Sequence, residues 1–230
     1  VWMGNRRLFA RQGIAIAEAE ASLVALEADG KTAMLVGVEQ RLLGVIAVAD
    51  TVKPEAAEAV AALLANGIQV VLLSGDNRRT AEAVARLVGI ERVIAEVLPD
   101  DKVAVIRQLQ SEGQVVAMVG DGVNDAPALA AAAVGFAMGG GTDVAMHAAG
   151  ITLMRGDPRL VADAIDVSRR TTRKIHQNLF WAFIYNVVGI PLAAAGLLDP
   201  VVAGAAMALS SVSVVSNTLL LRRWSPRARH

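Results

Sequence analysis

Two aspartates four residues apart, Asp121 and Asp125, lie in the stretch Val115-Val-Ala-Met-Val-Gly-Asp-Gly-Val-Asn-Asp-Ala-Pro127, where an apolar run gives way to a turn. Gly120 and Gly122 let the chain turn sharply beside a ligand. A strand ending at Val119 leaves both carboxylates at its carboxyl end, where ligands of open α/β sheets bind. Carboxylates this close repel unless a cation lies between them. Mg²⁺ suits the place, because it takes a few carboxylates together with phosphate oxygens and water. The pattern is not a dinucleotide fingerprint, since Asp125 stands where the third Gly is needed. The plain alternative is an ordinary Asp/Gly/Asn turn.

Two further loops carry phosphate chemistry. In Leu72-Leu-Ser-Gly-Asp-Asn77, Ser74 offers a hydroxyl and nearby backbone N–H groups to a phosphoryl oxygen; the alternative is a helix N-terminal turn before Thr80. Lys102 follows Pro99-Asp-Asp at the start of a helix, where a cation can neutralise an aspartate–phosphate pair. On its own it reads equally as a surface Lys. Three such loops, each at the carboxyl end of an apolar run, argue for one site.

The elements that must position these loops follow from the hydrophobic pattern. Apolar runs at Val45–Val48, Ile68–Leu73, Val93–Val97, Val115–Val119, Val134–Met138 and Ile151–Met154 alternate with helical stretches starting near Pro54, Thr80 and Asp100. Runs too short for helices and with little polar alternation predict strands buried on both faces of a parallel sheet. The alternation predicts an α/β doubly wound domain. Residues 1–43 do not keep that rhythm and are expected to be the tail of a preceding domain.

Beyond Pro158 a helix turns basic at Arg169, Arg170, Arg173 and Lys174, and two apolar segments follow, Asn178–Leu198 and Val201–Leu221. Each is long enough to span a hydrocarbon core of about 30 Å. Asp199-Pro200 is expected to join them in a tight transmembrane hairpin. Arg222, Arg223, Arg227 and Arg229 follow it, and from Gln177 to Leu221 the only formal charge is Asp199. Basic flanks on both sides put both outer ends, and the soluble domain, in the cytoplasm. The alternative is a buried helical hairpin of a large soluble protein. In the first span Tyr185 and Asn186 are adjacent, and Pro191 frees the carbonyl of Val187 and predicts a kink. In the second, Met207 and Ser211 lie four apart on one face. A thioether favours copper(I) over hard cations, yet Ser and small residues also pack helix on helix in membranes. Spacing leaves both readings open.

Charge divides the same way. Residues 1–168 hold 14 Lys and Arg against 21 Asp and Glu, whereas residues 169–230 hold 8 against one. No basic nucleic-acid footprint is present in the soluble part, and no nucleic acid is expected. With no Cys, disulfides and thiolate metal sites are excluded within these residues. The first residue is Val1 rather than Met, which suggests a piece of a longer protein.

Ser-Gly-Asp-Asn, Pro-Asp-Asp-Lys and Gly-Asp-Gly-Val-Asn-Asp-Ala-Pro, in this order, resemble the haloacid-dehalogenase superfamily and within it the P-type ATPases. The resemblance implies a haloacid-dehalogenase-like cytoplasmic domain phosphorylated by ATP on an Asp in an Asp-Lys-Thr-Gly-Thr motif. That motif is missing here, since Asp101-Lys102 continues as Val103-Ala104. By the match, Ser74 and Lys102 bind the phosphoryl group, Asn124 lies near it, and Asp121 and Asp125 hold Mg²⁺ and its surroundings. Asp50-Thr51-Val52-Lys53 looks like the hinge between nucleotide and phosphorylation domains, and Gly4-Asn5 like a nucleotide-contacting pair. Tyr185-Asn186 and Met207-x-x-Ser210-Ser211 look like the membrane signatures of copper(I) pumps, which makes Tyr185, Asn186, Met207 and Ser211 transport-site residues. A Cys-Pro-Cys segment expected to supply thiolates lies outside these residues.

The resulting expectation is a nucleotide-domain tail at 1–49, a phosphorylation domain at 50–168, two transmembrane helices within 169–224 (about 178–198 and 201–221) and a cytoplasmic tail at 225–230. The whole is expected to be part of a plasma-membrane pump exporting copper(I), using ATP and Mg²⁺. Its expected partners are the lipid bilayer, the remainder of the same pump and a copper donor protein. These residues alone are expected to be inactive. Alternatives are a pump for zinc or cadmium, a truncated Mg²⁺-binding product without turnover, and a membrane-anchored phosphatase, for which no Asp-x-Asp nucleophile is visible.

Overall fold

Alternating burial along residues 32–38 shows how the N-terminal part forms. The computed structural model describes residues 1–48 and 51–225; Asp50 of the expected hinge, and residues 226–230 with Arg227 and Arg229, lie outside the described residues. Strands β1 (Trp2–Gly4), β2 (Thr32–Val38) and β3 (Arg41–Val48) make an antiparallel sheet in the order β1-β2-β3. Ala33, Leu35 and Gly37 of β2 point inward, as a period of two requires. Helices α1 (Arg6–Arg11) and α2 (Ala17–Ala28) contribute Phe9, Ala19 and Leu23, which with Ile14, Ala33 and Leu35 form a buried cluster. Val45–Val48 therefore ends an antiparallel strand instead of opening the parallel domain. An apolar run of four carries no information on strand direction, and β3 finds its partner across the Glu39–Gln40 turn, where Glu39 takes a positive φ of 51°.

From residue 51 onward the expected alternation holds. The elements are α3 (Glu55–Ala65), β4 (Val71–Leu73), α4 (Arg78–Val88), β5 (Arg92–Ile94), α5 (Pro99–Ser111), β6 (Ala117–Gly120), a 3₁₀ turn at Val123–Asp125, α6 (Ala126–Ala131), β7 (Val134–Ala137), α7 (Asp143–Ala148) and β8 (Ile151–Thr152). All pairings among these strands are parallel. They form two sheets, β4-β5 and β6-β7-β8, rather than one. The division runs between β4 and β6, which do not pair. Each keeps one open edge, and Val119 of β6 is 41% exposed.

A charged cluster ties α2 to α4. Glu27, 2% exposed, receives the guanidinium groups of Arg6 and Arg79. A carboxylate this buried requires such partners. The Glu27 and Glu20 carboxylates in turn raise the Arg6 pKa above its ordinary value.

The chain divides into two compact units between Val161 and Ala162, seven residues earlier than the sequence suggests. In the second unit, α8 (Arg159–Ala194), whose first three residues belong to the first unit, and α9 (Pro200–Leu219) form a hairpin, with a 3₁₀ turn at Leu220–Arg223. Lys174 Nζ donates to Asn217 Oδ1 at 2.7 Å, Asn178 Nδ2 to Thr218 Oγ1 at 2.8 Å, and Asn217 Nδ2 to Asn178 Oδ1 at 2.8 Å. The first apolar segment stops short of Leu198, because the helix unwinds after Ala194 through Gly196 at φ 70°. The connection is thus residues 195–199, and Pro200 opens α9, capped by the Asp199 side chain. Among the described residues one helix, Pro200–Arg223, is long and apolar enough to cross a membrane. No residue of α9 is buried.

Candidate phosphate and metal site

The loops of the first unit gather at the carboxyl ends of parallel strands. After β6 the chain turns at Gly120, where an added Cβ would come within 2.8 Å of the Asp125 Cβ, so only Gly fits. Two hydrogen bonds hold Asp125 in the space this leaves. Its Oδ1 accepts from Lys102 Nζ at 2.6 Å, its Oδ2 from the Gly122 N–H at 3.4 Å. Both side chains are largely buried, 15% exposed for Lys102 and 16% for Asp125. Lys102 lies in the first turn of α5, whose N-terminus begins with Pro99. The residues are 23 apart in sequence, and this ion pair is the cross-element contact of the site.

Asp121 differs. It is exposed, and among the described residues no side-chain partner holds it, while its backbone carbonyl accepts from the Thr142 N–H at 2.9 Å. Asn124 is exposed on the 3₁₀ turn beside it. Ser74 follows β4. Its hydroxyl donates to Asp76 Oδ2 at 2.9 Å and accepts from the Asp76 N–H at 3.1 Å. Its loop is closed by the turn after β5, where Glu96 at φ 61° donates its N–H to the Asp76 carbonyl and Val97 donates to that of Ser74. Ser74 and Asp76 line a small cleft of about 190 Å³ with Thr51, Val52 and Leu72. Among the described residues no hydrogen bond joins Ser74 to Lys102 or Asp125.

A fourth loop escaped the sequence reading. Gly139-Gly-Gly-Thr142 follows β7 and buttresses the Asp121 turn. A Cβ on Gly141 would come 2.5 Å from the Asp121 carbonyl oxygen, and one on Gly139 2.5 Å from the Arg155 nitrogen. The signal was present, an apolar run ending in glycines and Asp143, in the same form as the loop after β6. Lys53 is also placed: its Nζ donates to the Gly156 carbonyl at 2.7 Å, which ties the segment before α3 to the loop after β8.

The donors fit Mg²⁺. Among the described residues no group of three or more His, Asp or Glu gathers into a cage, and a free hard carboxylate such as Asp121 suits an ion that keeps waters and substrate oxygens. Asp125, expected alongside Asp121 as a metal residue, is engaged by Lys102.

The remaining candidates bond locally. Asn5 caps α1, its Oδ1 accepting from the Leu8 N–H at 3.1 Å, and Gly4 lies against Leu8. Asn186 Nδ2 donates to the Ala182 carbonyl at 2.8 Å, and Ser211 Oγ to the Met207 carbonyl at 3.3 Å. Tyr185 leans on Trp181, ring centres 6.5 Å apart. Met207 is 73% exposed.

A family model described as a haloacid dehalogenase-like hydrolase matches residues 1–133. The copper-exporting P-type ATPase of Staphylococcus haemolyticus (strain JCSC1435) is 55% identical over 223 residues, covering 97% of this chain and 28% of that protein. The corresponding protein of Staphylococcus aureus (strain bovine RF122 / ET3-1) is 55% identical over 232 residues, 100% of this chain and 29% of that one. The chain thus spans less than a third of the length of these relatives. Among solved structures, the crystal structure of a zinc-transporting PIB-type ATPase in the E2.Pi state matches with a TM-score of 0.76 and 39% identity, over 90% of this chain and 34% of that one.

Proposed function

We propose, from the premise that this chain belongs to the haloacid dehalogenase-like hydrolase family, that it is the C-terminal part of a P-type pump exporting copper(I) across a membrane through an aspartyl-phosphate intermediate. One observation carries the reading most: Lys102 and Asp125 pair at 2.6 Å at the carboxyl end of β6 while Asp121 beside them stays exposed. A cation held by one carboxylate and a second carboxylate left free is an arrangement prepared for a phosphoryl group with its metal.

In this reading the Lys102 ammonium and the Ser74 hydroxyl bind phosphoryl oxygens, and Asn124 lies beside them. Asp125 holds Lys102 in place, so that the cation is oriented before the substrate arrives. Asp121 supplies an oxygen to Mg²⁺, which neutralises charge on the phosphate when bound. Ser74 must exchange its hydrogen bond to Asp76 for the phosphoryl oxygen. The aspartate that accepts the phosphoryl group belongs to a preceding segment of the same pump. The open edges of β4 and β6 support this, since an unpaired parallel strand edge in the middle of a domain calls for a strand between them. Residues 1–48 then belong to the nucleotide domain, with Gly4 and Asn5 toward ATP.

Tyr185, Asn186, Met207 and Ser211 form half of the transport site, with the thioether of Met207 as soft ligand. The 55% identity to copper-exporting pumps supports copper as the cargo. The pump lies in the plasma membrane with the soluble unit and the C-terminus cytoplasmic, and a copper donor protein delivers its cargo.

The test is phosphorylation. Residues 1–230 incubated with labelled ATP acquire no acid-stable, hydroxylamine-sensitive label, whereas the complete protein does. Label on residues 1–230 themselves would overturn the assignment, because covalent catalysis needs the nucleophile.

A further inference from the structure

We propose that the second unit holds a site for one acidic phospholipid headgroup, in a groove of about 290 Å³ between the basic end of α8 and the turn after α9. The proposal rests on the membrane reading of the hairpin given above. Arg170, Arg173 and Lys174 stand at i, i+3 and i+4 on α8, hence on one face, and Arg223 joins them from the 3₁₀ turn. Two of the four cations are engaged. Arg170 pairs with Asp166 at 2.8 Å, and Lys174 donates to the neutral Asn217. Arg173 and Arg223 have no acidic partner among the described residues. Like charges brought together without a counter-charge repel, and an anion in the groove removes that cost.

The rest of the groove selects a lipid over a soluble anion. Leu220 and Leu221 give it an apolar wall, and it opens at the end of the apolar helix Pro200–Arg223. Trp224 completes the lining, its indole N–H donating to Asp166 at 2.9 Å. Trp so placed belongs at headgroup level, where an apolar ring and a polar N–H are both satisfied. A phosphodiester between the guanidinium groups, with acyl chains continuing along the exposed apolar residues of α9, uses every part of the lining. Basic pockets between membrane helices on the cytoplasmic side bind anionic headgroups in this way.

The positive flank also sets topology, so the test must separate a site from a diffuse charge. The complete pump is purified in mild detergent from a mixture of phosphatidylcholine and phosphatidylglycerol, and the retained lipids are quantified by mass spectrometry. Wild type retains phosphatidylglycerol preferentially. Arg173→Gln and Arg223→Gln each lower that preference about fivefold, Arg173→Lys lowers it less, and Arg107→Gln on the soluble unit leaves it unchanged. Millimolar inorganic phosphate does not displace the lipid. Equal retention of the two lipids, unchanged preference in both Gln variants, or displacement by inorganic phosphate overturns the proposal. Release of the complete protein from membranes by alkaline carbonate overturns the membrane reading itself, whereas stable insertion without lipid preference overturns the headgroup site alone.

Discussion

The two units hold their candidate residues in opposite ways. In the first, Lys102 of α5 reaches Asp125 after β6, in the space that the missing side chain of Gly120 leaves open. In the second, Asn186 and Ser211 bond to carbonyls of their own helices, and the bonds that cross the hairpin lie elsewhere, at Lys174, Asn178, Asn217 and Thr218. Two of the loops proposed to bind phosphate are thus already joined across distant parts of this chain by one ion pair. Asn186 and Ser211 are satisfied within their own helices, and in the proposed pump the partners of these transport residues belong to other helices.

The largest effect expected from this contrast comes from Asp121→Ala in the complete pump. The carboxylate is exposed, and in the proposed site it is the hard donor for Mg²⁺. Phosphoenzyme from ATP falls by about a thousandfold or more, as loss of a main electrostatic group implies, while the thermal melt without Mg²⁺ does not drop. Removing one of two neighbouring carboxylates relieves repulsion when no metal is present. A variant that phosphorylates normally at ordinary Mg²⁺ breaks the assignment.

Met207→Leu tests the other side. Leu is close in volume and inserts into the membrane as readily, but it offers no lone pair to a soft metal. Copper(I)-stimulated ATP hydrolysis should fall by at least the roughly 10- to 100-fold that loss of an outer partner of a metal site causes. Phosphorylation by inorganic phosphate, which needs no copper, persists. If Met207 only packs helix on helix, copper stimulation stays near wild type. Stimulation by zinc or cadmium in place of copper(I) moves the cargo and leaves the phosphate site standing.

What could be read from the sequence follows the same division. Loops after strands were legible because glycines and aspartates at fixed offsets allow few backbone paths, so Ser74, Lys102, Asp121 and Asp125 all lie at carboxyl ends of parallel strands or the helix that follows. Strand partners were not legible. Val45–Val48 has the composition of a buried parallel strand and pairs antiparallel, and the expected single sheet is divided where β4 and β6 fail to pair. Pairing is a property of two segments, and neither apolar run names its neighbour. Lys102 and Asp125 were each singled out, yet their contact was not foreseen, because nothing local links positions 23 apart. The loop at Gly139–Thr142 was overlooked for the opposite reason: its signal was clear, but it holds the Asp121 turn rather than presenting chemistry of its own. The first apolar segment was read four residues too long, since hydropathy does not see the turn that Gly196 permits.

The smallest expected effect sharpens the contrast most. Double-mutant cycles on the complete pump, Lys102→Met with Asp125→Asn and Met207→Leu with Ser211→Ala, measure coupling in each unit. The Lys102–Asp125 pair is mostly sheltered from water, so it exceeds an exposed ion pair, but it keeps a path to solvent and does not reach the value of a fully buried one. A coupling of about 1 kcal/mol is expected. The Met207–Ser211 pair should show coupling near zero in the absence of copper, because the hydroxyl bonds to the Met207 backbone, which the substitution leaves in place. Copper(I) should then raise it, since both side chains would share one ion. Equal couplings in the two units without copper would mean that the phosphate loops are no more assembled than the membrane half-site.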